Sequence, residues 1–595
     1  MSFTPKPDFE RYLKALHCEE PDRVPLGDWH VDQRPKEAFL GRRIETIADM
    51  IEFWHTAGFD YITASSGILE PVRAPEGLTS GTAAVYTEYG DVVDRQWAHE
   101  HEGIITNWEQ FEKYQWPKVD EMDLSKWGQF DKVLPKGMKA ILLLGKIYTP
   151  AWMYMGAETF FHALENNEDL IAAIFEKIGN IQFEVFQRVI EHPCVGAVIN
   201  PDDVAHNTGL LVHPRHLRKY LFPWYQKMGD ICRDRGLGFI YHSDGDCTEV
   251  MDDLIACGFH GFNPIQPNAM DIVEVKKRWG RQLCLIGNLN LDSTLTLGTP
   301  EDVRAEVHER IRALAPGGGY MVASSNSITD YVPLANMRAM FEACFEFGRY
   351  PIDLQAGAVA GKFWTYQGKG GGSGAPDEPQ AADVLEVQPF VEALLANNAQ
   401  KVIELAQKNL DAGHSIQQVV NQGLIQGMTV VGQKFQRAEV YIPEMMLAAQ
   451  AMSKTLAHYE GLISGGGSGK PLGHVVMGTV KGDLHDIGKN LVIMMLRGQG
   501  FTVTDLGVSV APEKFIQAVA QHKPDVLALS ALLTTTMVQM KGTLDALTEA
   551  GLREKVKVLV GGAPVTQAFA EQIGADGYAY DAPGAAKLCK SLVAK

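Results

Sequence analysis

A chain of 595 residues exceeds what one hydrophobic core organises, so two to four domains are expected. Hydrophobic residues at 46% against charged ones at 21% describe a soluble globular protein, and a formal net charge of −19 argues against nucleic acid or an anionic membrane as the main partner. No charged segment followed by a short apolar run opens the sequence, and no apolar run approaches a membrane span, so a cytoplasmic setting is expected. From the N-terminus, short apolar runs alternate with longer amphipathic segments. The runs at 24–27, 60–63, 140–144, 195–199, 238–241, 261–263, 283–286 and 319–323 read as strands. Helices are expected at 44–55, 157–165, 170–191, 214–235, 250–256, 300–313 and 334–347. This alternation predicts an α/β fold over residues 1–365, a parallel (β/α)8 barrel of the TIM type, which needs about 250 residues. The interval 64–139 is longer than a plain βα unit. Its run Val85-Tyr86-Thr87-Glu88-Tyr89, closed by Gly90, predicts an inserted hairpin and a lid over one barrel face.

The chemistry of such a barrel collects where its strands end. Those ends carry Asp28-Trp29-His30, Lys146-Ile147-Tyr148, Asn200-Pro201-Asp202-Asp203, His242-Ser243-Asp244-Gly245, Asn263, Asn288 and Ser324-Ser325-Asn326. One polar cluster would be mere solvation of a loop; so many favour a ligand cavity. His242, Asp244, Asp202, Asp203 and His206 are the acid–base candidates, and Asn288 and Asn326 are candidate substrate contacts.

Pro21-Asp22-Arg23-Val24-Pro25, Trp108-Glu109-Gln110-Phe111-Glu112-Lys113-Tyr114 and the His242-x-Asp244-Gly245 loop resemble the uroporphyrinogen-decarboxylase superfamily. So do Ile286-Gly287-Asn288, Pro300-Glu301-Asp302-Val303 and Pro316-Gly317-Gly318-Gly319-Tyr320. The resemblance covers nearly all of residues 10–350 and implies either a porphyrinogen decarboxylase or a cobalamin-dependent methyltransferase. A decarboxylase would need clustered Arg near the N-terminus, where this chain has Gly27-Asp28-Trp29-His30-Val31-Asp32, so the methyltransferase branch fits better. Thiol-alkylating members of that branch bind zinc through H-x-C plus a later Cys. Here the pair is His242-x-Asp244, Ser325-Asn326-Ser327 offers no thiol, and the eight cysteines are scattered without a C-x-x-C. His242 and Asp244 remain candidate zinc ligands, with Asp202 or Asp203, beside direct acid–base roles. Aromatic and thioether residues are dense at Tyr148, Trp152, Met153, Tyr154, Met155, Phe160 and Phe161. Core packing is the better reading for Phe160 and Phe161. Tyr148, Trp152 and Tyr154, with Trp29 and Tyr241, are candidate walls of a ring-sized pocket that suits a methoxylated arene better than methanol or a methylamine.

The stretch Gly368-Lys369-Gly370-Gly371-Gly372-Ser373-Gly374, running to Pro379, has no core-forming residue and reads as a flexible tether over 366–380, reaching roughly 20 Å. Its Gly-Gly-Gly-Ser-Gly run recurs at 465–469, so an engineered join of two proteins is one reading. Residues 381–465 read as a four-helix bundle, with helices at 384–397, 399–412, 415–435 and 443–459. The segment Tyr441-Ile442-Pro443-Glu444-Met445-Met446-Leu447 resembles the cap module of methionine-synthase-type and methanogen-type corrinoid proteins. That resemblance would put Met445 or Met446 over the upper face of cobalt, against the plainer reading of bundle core.

From residue 466 onward strands at 475–480, 501–505, 526–530, 556–560 and 577–580 alternate with helices at 486–497, 512–521, 537–550, 566–573 and 584–592. A Rossmann-like, doubly wound sheet follows. If its order is flavodoxin-like, ligands bind beyond the first and third strands. Asp483-x-His485-x-x-Gly488, then Ser530-x-Leu532, then Gly561-Gly562 each follow a strand, and together they resemble the cobalamin-binding fingerprint. The resemblance implies that His485 binds cobalt, Asp483 accepts its other N–H, and Ser530 extends the relay. It also gives Gly561 and Gly562 a close approach to the nucleotide tail, whose polar groups would meet Thr534, Thr535 and Thr536.

The resemblances together imply methyl transfer from a small donor, best an aryl methyl ether, to Co(I) of the cobalamin: an O-demethylation. Tetrahydrofolate or a thiol, reached through a second methyltransferase, is the implied acceptor, with a separate reactivating protein for oxidised cobalt. Another one-carbon donor (methanol, a methylamine, a methylthiol) and an adenosylcobalamin-dependent mutase are the rival activities. A binding-only cobalamin sensor is the non-enzymatic rival, but it would lack a full barrel.

Overall fold

The computed structural model describes residues 3–66, 81–86, 92–97, 103–207, 209–355, 357, 359–361, 363, 385–437, 439–459, 472–483, 487–531, 534–562, 565–580 and 582–593. They fall into two compact units, the first drawn from Met1–Thr79, Tyr86–Val92 and His101–Gly370 and the second from Ser80–Val85, Val93–Glu100 and Gly371–Lys595. The expected tether at 366–380 and the turn of the expected hairpin lie outside the described residues. The flanking strands Gly81–Tyr86 and Val92–Trp97 pair with each other as that hairpin requires.

In the first unit β1 (Tyr61–Ser65), β2 (Lys139–Leu143), β3 (Val195–Pro201), β4 (Gly238–His242), β5 (Gly261–Asn263), β6 (Cys284–Ile286) and β7 (Tyr320–Met321) lie side by side in chain order, all parallel. Helices cover the sheet, so strands such as β3 are buried along their whole length and read as continuous apolar runs. The eighth expected strand is reduced to a bridge. Gly27 N donates to Val322 O (2.8 Å) and Val322 N to Pro25 O (3.0 Å), beside β7. Pro25 has no N–H, which shortens the ladder there. The crossover helices follow local rules. In Pro300–Leu314, Thr299 and Asp302 form a reciprocal capping box and Pro300 fills the first turn, where no N–H is needed. The expected helix at 214–235 is interrupted by a π-helical turn, Leu217–Leu221, that ends two residues before Pro223, whose ring cannot continue a regular ladder.

In the second unit, Gln388–Leu395, Ala399–Asp411, Ile416–Gln436 and Ile442–His458 form the helical bundle around Phe390, Leu394, Val402, Val431, Ala448 and Met452. Its third helix widens into a π-turn at Val419–Ile425, where Gly423 passes so near the Phe390 ring that a Cβ would stand 2.8 Å from it. The bundle rests on the sheet domain through Ile442–His458 against Ile487–Gly498 and Gln426–Gln436 against Ala582–Val593. The sheet itself comprises β8 (His474–Thr479), β9 (Thr502–Asp505), β10 (Val526–Ser530), β11 (Lys557–Gly561) and β12 (Gly577–Ala579), all parallel, in the order β9-β8-β10-β11-β12. Alternation along β8 sends Val476 to one core with Phe515, Met540 and Phe569, and Val475 and Met477 to another with Leu496 and Cys589. This is the flavodoxin-like winding, and it reverses between β8 and β10. Among the described residues no helix is long and apolar enough to cross a membrane.

Candidate functional site

Two places gather the expected residues, one in each unit. In the barrel, β3 and β4 run in register, with Pro201 opposite His242, so the residues just beyond their ends meet. Asp203, His242 and Asp244 bring one ligand atom each within 4.8 Å of one another. Asp203 is fixed from two sides: Oδ1 accepts Asp244 N (3.1 Å) and Oδ2 accepts Lys146 Nζ (2.7 Å). Asp244 Oδ2 accepts the Asn326 amide (2.8 Å), and Asn326 O accepts Trp29 Nε1 (3.1 Å). The Trp29 ring lies 4.4 Å from the His242 ring, centroid to centroid. Five strand ends thus contribute to one cluster, the arrangement that (β/α)8 barrels use for chemistry.

Hydrogen bonding sets the tautomer of His242. The Asn263 amide nitrogen donates to Ile286 O (3.1 Å), so its oxygen faces His242 Nδ1 (2.5 Å) and must accept from it. The lone pair of the imidazole is therefore on Nε2. Burial pushes the His242 pKa down to about 4 even though Asp203 pulls the other way, so the ring is neutral at pH 7. Burial would raise Asp203, but Lys146 and His242 hold it down to about 2. For Lys146 burial works against the charge and Asp203, Asp202 and Asp244 outweigh it, leaving the ammonium more firmly protonated than usual. A neutral imidazole nitrogen and two carboxylates are a donor set suited to zinc or a similar divalent ion.

Several expected residues stand elsewhere. Asp202 is a structural anchor: its carboxylate accepts from the backbone N–H groups of Ile147, Tyr148 and Thr149, from Thr149 Oγ1 and from Tyr225 OH, capping the helix Tyr148–Met155. Tyr241 precedes His242 on β4, so the pleat turns it to the opposite side, against Tyr225 and Phe259 with its hydroxyl on Asp202 O; it is no pocket wall. Tyr148 packs edge-on against Phe160 and is core. Tyr154 joins Tyr114 and Trp116, while Trp152 on the same helix is half-buried. Asn288 has a left-handed backbone (φ 100°) and its amide donates to Ile265 O, bracing two loops. His206 lies outside the three-residue group. Its carbonyl accepts Asp246 N, an approach that Gly245 permits, because a Cβ there would stand 2.6 Å from the His206 backbone. Lys146 and Asn263 were legible only as residues at strand ends. Asp28 is fully buried: Ser324 N and Oγ donate to its Oδ1, its Oδ2 has no hydrogen-bond partner among the described residues, and burial lifts it to about 6.

In the second unit the register places Thr479, Ser530 and Gly561 side by side at the carboxyl ends of β8, β10 and β11. The three parts of the fingerprint therefore open onto one edge, at the point where the winding reverses. His485 and Leu532 lie outside the described residues. Asp483 is fully buried, and its Oδ2 accepts Thr536 Oγ1 (2.5 Å). That hydroxyl, from the start of the following helix, is a contact of the carboxylate that the sequence reading does not assign. Gly562 has φ 128°, and a Cβ there would stand 1.8 Å from Ala531 O, so the fold itself requires glycine before any ligand is considered. At Gly488 a Cβ would meet nothing within 4 Å, leaving open space beside the loop. A buried carboxylate two residues from a histidine, beside an open glycine, fits a corrinoid held through an imidazole. Thr534 begins the helix Thr534–Glu549. Met445 sits in the bundle core, whereas Met446 is half-buried outside that cluster.

Comparison with known families matches residues 473–587 and 387–460 to B12 binding domains and residues 129–347 to uroporphyrinogen decarboxylase (URO-D). The dimethylamine corrinoid protein of Methanosarcina barkeri is 44% identical over 193 residues, 32% of this chain and 89% of that protein. A corrinoid protein of Desulfitobacterium hafniense is 39% identical over 206 residues, 34% of this chain and 95% of that protein. Among solved structures, the methanol:cobalamin methyltransferase complex of Methanosarcina barkeri aligns at 33% identity and a TM-score of 0.30, over 35% of this chain and 79% of that chain.

Proposed function

We propose, from the premise that this chain belongs to the B12-binding corrinoid proteins and carries a uroporphyrinogen-decarboxylase-type methyltransferase barrel on the same polypeptide, that it removes the methyl group of an aryl methyl ether. Corrinoid-dependent methyl transfer is the general activity of such a pairing; the donor is our reading. The observation that carries it is the Trp29 indole lying 4.4 Å from His242, a flat apolar wall directly beside Asp203, Asp244 and Lys146. An anisole-like ring can stack on such a wall while its ether oxygen points into the polar group.

The corrinoid, when bound and reduced, supplies a strong nucleophile toward saturated carbon. The chain supplies the rest. Asp483, held by Thr536, would accept the N–H of His485, fix its tautomer and raise its basicity as an axial ligand. Trp29 and Asn326 would orient the donor, and the barrel cluster would stabilise negative charge on the departing oxygen, whose conjugate acid titrates near ~10. The relatives' names speak of dimethylamine and methanol, but the dimethylamine protein matches only 32% of this chain, and the methyl donor is chosen by the barrel. A second reading gives Asp203, His242 and Asp244 a zinc ion as Lewis acid, favoured by their grouping within 4.8 Å and by the lone pair that the Nδ1–Asn263 bond leaves on Nε2. A separate methyltransferase passing the methyl group to tetrahydrofolate or a thiol, and a reactivating protein, complete the proposed cycle.

The test is product analysis. The corrinoid-loaded, chemically reduced protein is incubated with 2-methoxyphenol, methanol or dimethylamine, and catechol release and loss of each donor are measured. Catechol formation at a rate above that of the other donors supports the reading; consumption of methanol or dimethylamine with the methoxyphenol untouched overturns it.

A further inference from the structure

Lys146 stands three residues beyond β2, with only part of its side chain exposed (24%). An ammonium has three N–H donors. Among the described residues only one of them has a partner, Asp203 Oδ2. That partner cannot swing away, because its other oxygen is held by the Asp244 backbone. The ion pair is thus anchored on one side and has two donors left on the other. The carboxylates of Asp202 and Asp244 add to the charge that holds the ammonium in place, Asp244 being itself bound by the Asn326 amide, and the Trp29 indole lies against the His242 ring in the same cluster.

We propose that Lys146 is the binding site for the oxygen that leaves the methyl group, and that it restricts the donors to those whose leaving atom departs as an oxygen anion. The inference rests on the methyl-transfer reading above and deepens it. During transfer the carbon–oxygen bond breaks, its electron pair stays on oxygen, and the methyl carbon bonds to the reduced corrinoid. The new phenolate takes one or both spare N–H groups of Lys146 as hydrogen bonds and acquires its proton from solvent on release. Charge-assisted hydrogen bonds in a partly dry site are stronger for the anion than for the ether, so the interaction grows as the bond breaks. A methylammonium donor gains nothing there, since its departing amine is neutral and its ground state is repelled by Nζ.

The experiment uses the full chain without corrinoid and a chromophoric product analogue, 2-methoxy-4-nitrophenol, whose phenol and phenolate absorb at different wavelengths. In the native protein the bound analogue is expected to be phenolate at a pH where most of the free compound is phenol. Its dissociation constant should rise at least tenfold in Lys146→Met and stay within threefold in Lys146→Arg. Because Lys146→Met leaves Asp203 without its counter-ion, Lys146→Met/Asp203→Asn is measured beside it, with far-ultraviolet circular dichroism as the folding check. In turnover, Lys146→Met should slow 2-methoxyphenol more than the nitro-substituted ether, whose phenolate needs less help. Equal phenolate binding by native and Lys146→Met protein, or no phenolate binding by the native protein, overturns the proposal. If phenolate binding follows Lys146 but no methyl ether is turned over, the methyl-transfer reading fails and the oxygen site stands. If ethers are turned over equally by Lys146→Met, the reverse holds.

Discussion

The neutral state of His242 has a measurable cost in acid. In the folded barrel its ring takes up a proton only near pH 4, whereas the unfolded chain does so near the ordinary value of 6.5. The folded pKa is depressed, so this contribution is fully present above about 6.5 and is lost as the pH falls from 6.5 toward 4. Between pH 7 and pH 5 the loss amounts to about 2 kcal/mol, at 1.36 kcal/mol per pH unit. The side chain is only 4% exposed, so solvent screening leaves most of this in place. Nine of the ten tryptophans lie in the first unit and only Trp97 falls in the second, so tryptophan fluorescence during urea unfolding follows mainly the barrel. The comparison is between native protein and His242→Asn, each unfolded at pH 7 and pH 5. The variant changes the absolute stability, and the diagnostic quantity is the difference in pH dependence. Native barrel should lose about 2 kcal/mol more than His242→Asn over that interval. Parallel losses would show that the imidazole is already charged or solvated in the folded barrel, and the tautomer assignment through Asn263 would fall with it.

The remaining predictions concern both units. Gly562→Ala should unfold the sheet domain at lower temperature by circular dichroism, since a Cβ 1.8 Å from Ala531 O adds steric overlap to a backbone strain of order 1–3 kcal/mol. Gly488→Ala should leave unfolding unchanged but lower corrinoid retention on gel filtration, because its empty surroundings are then the ligand's; unchanged retention would remove Gly488 from the binding site. Thr536→Val should weaken corrinoid retention by 10- to 100-fold at most, the usual range when a hydrogen bond behind a ligating histidine is lost, and a null effect would detach Asp483 from the ligand. Tyr241→Phe should cost about 1 kcal/mol of barrel stability, through the lost bond to Asp202 O, with KM for the donor unchanged; a raised KM would return Tyr241 to the pocket.

The elements themselves were legible in the sequence because they obey local rules. Thr299-Pro300 with Asp302 announces a helix start, and Val195-Gly196-Ala197-Val198-Ile199 announces a strand buried on both faces. Seven barrel strands and all five strands of the second unit fall where the apolar runs place them. The helix at Tyr148–Met155 escaped, because its cap comes from Asp202, far along the chain.

What the sequence determined by itself is the corrinoid edge in outline and the list of polar strand ends, since spacing fixes where a loop follows a strand. What only the tertiary structure decided is which of those side chains share a site. Asp202 and Asp203 are adjacent in sequence, yet one caps a helix and the other joins Lys146, His242 and Asp244. Tyr241 and His242 are likewise parted by the pleat of one strand. Thr536, at the start of a helix 53 positions along the chain, donates to Asp483, a pairing that only the folded chain brings about. Local pattern specifies an element and its ends, but side-chain direction and long-range pairing are set only when the strands come into register.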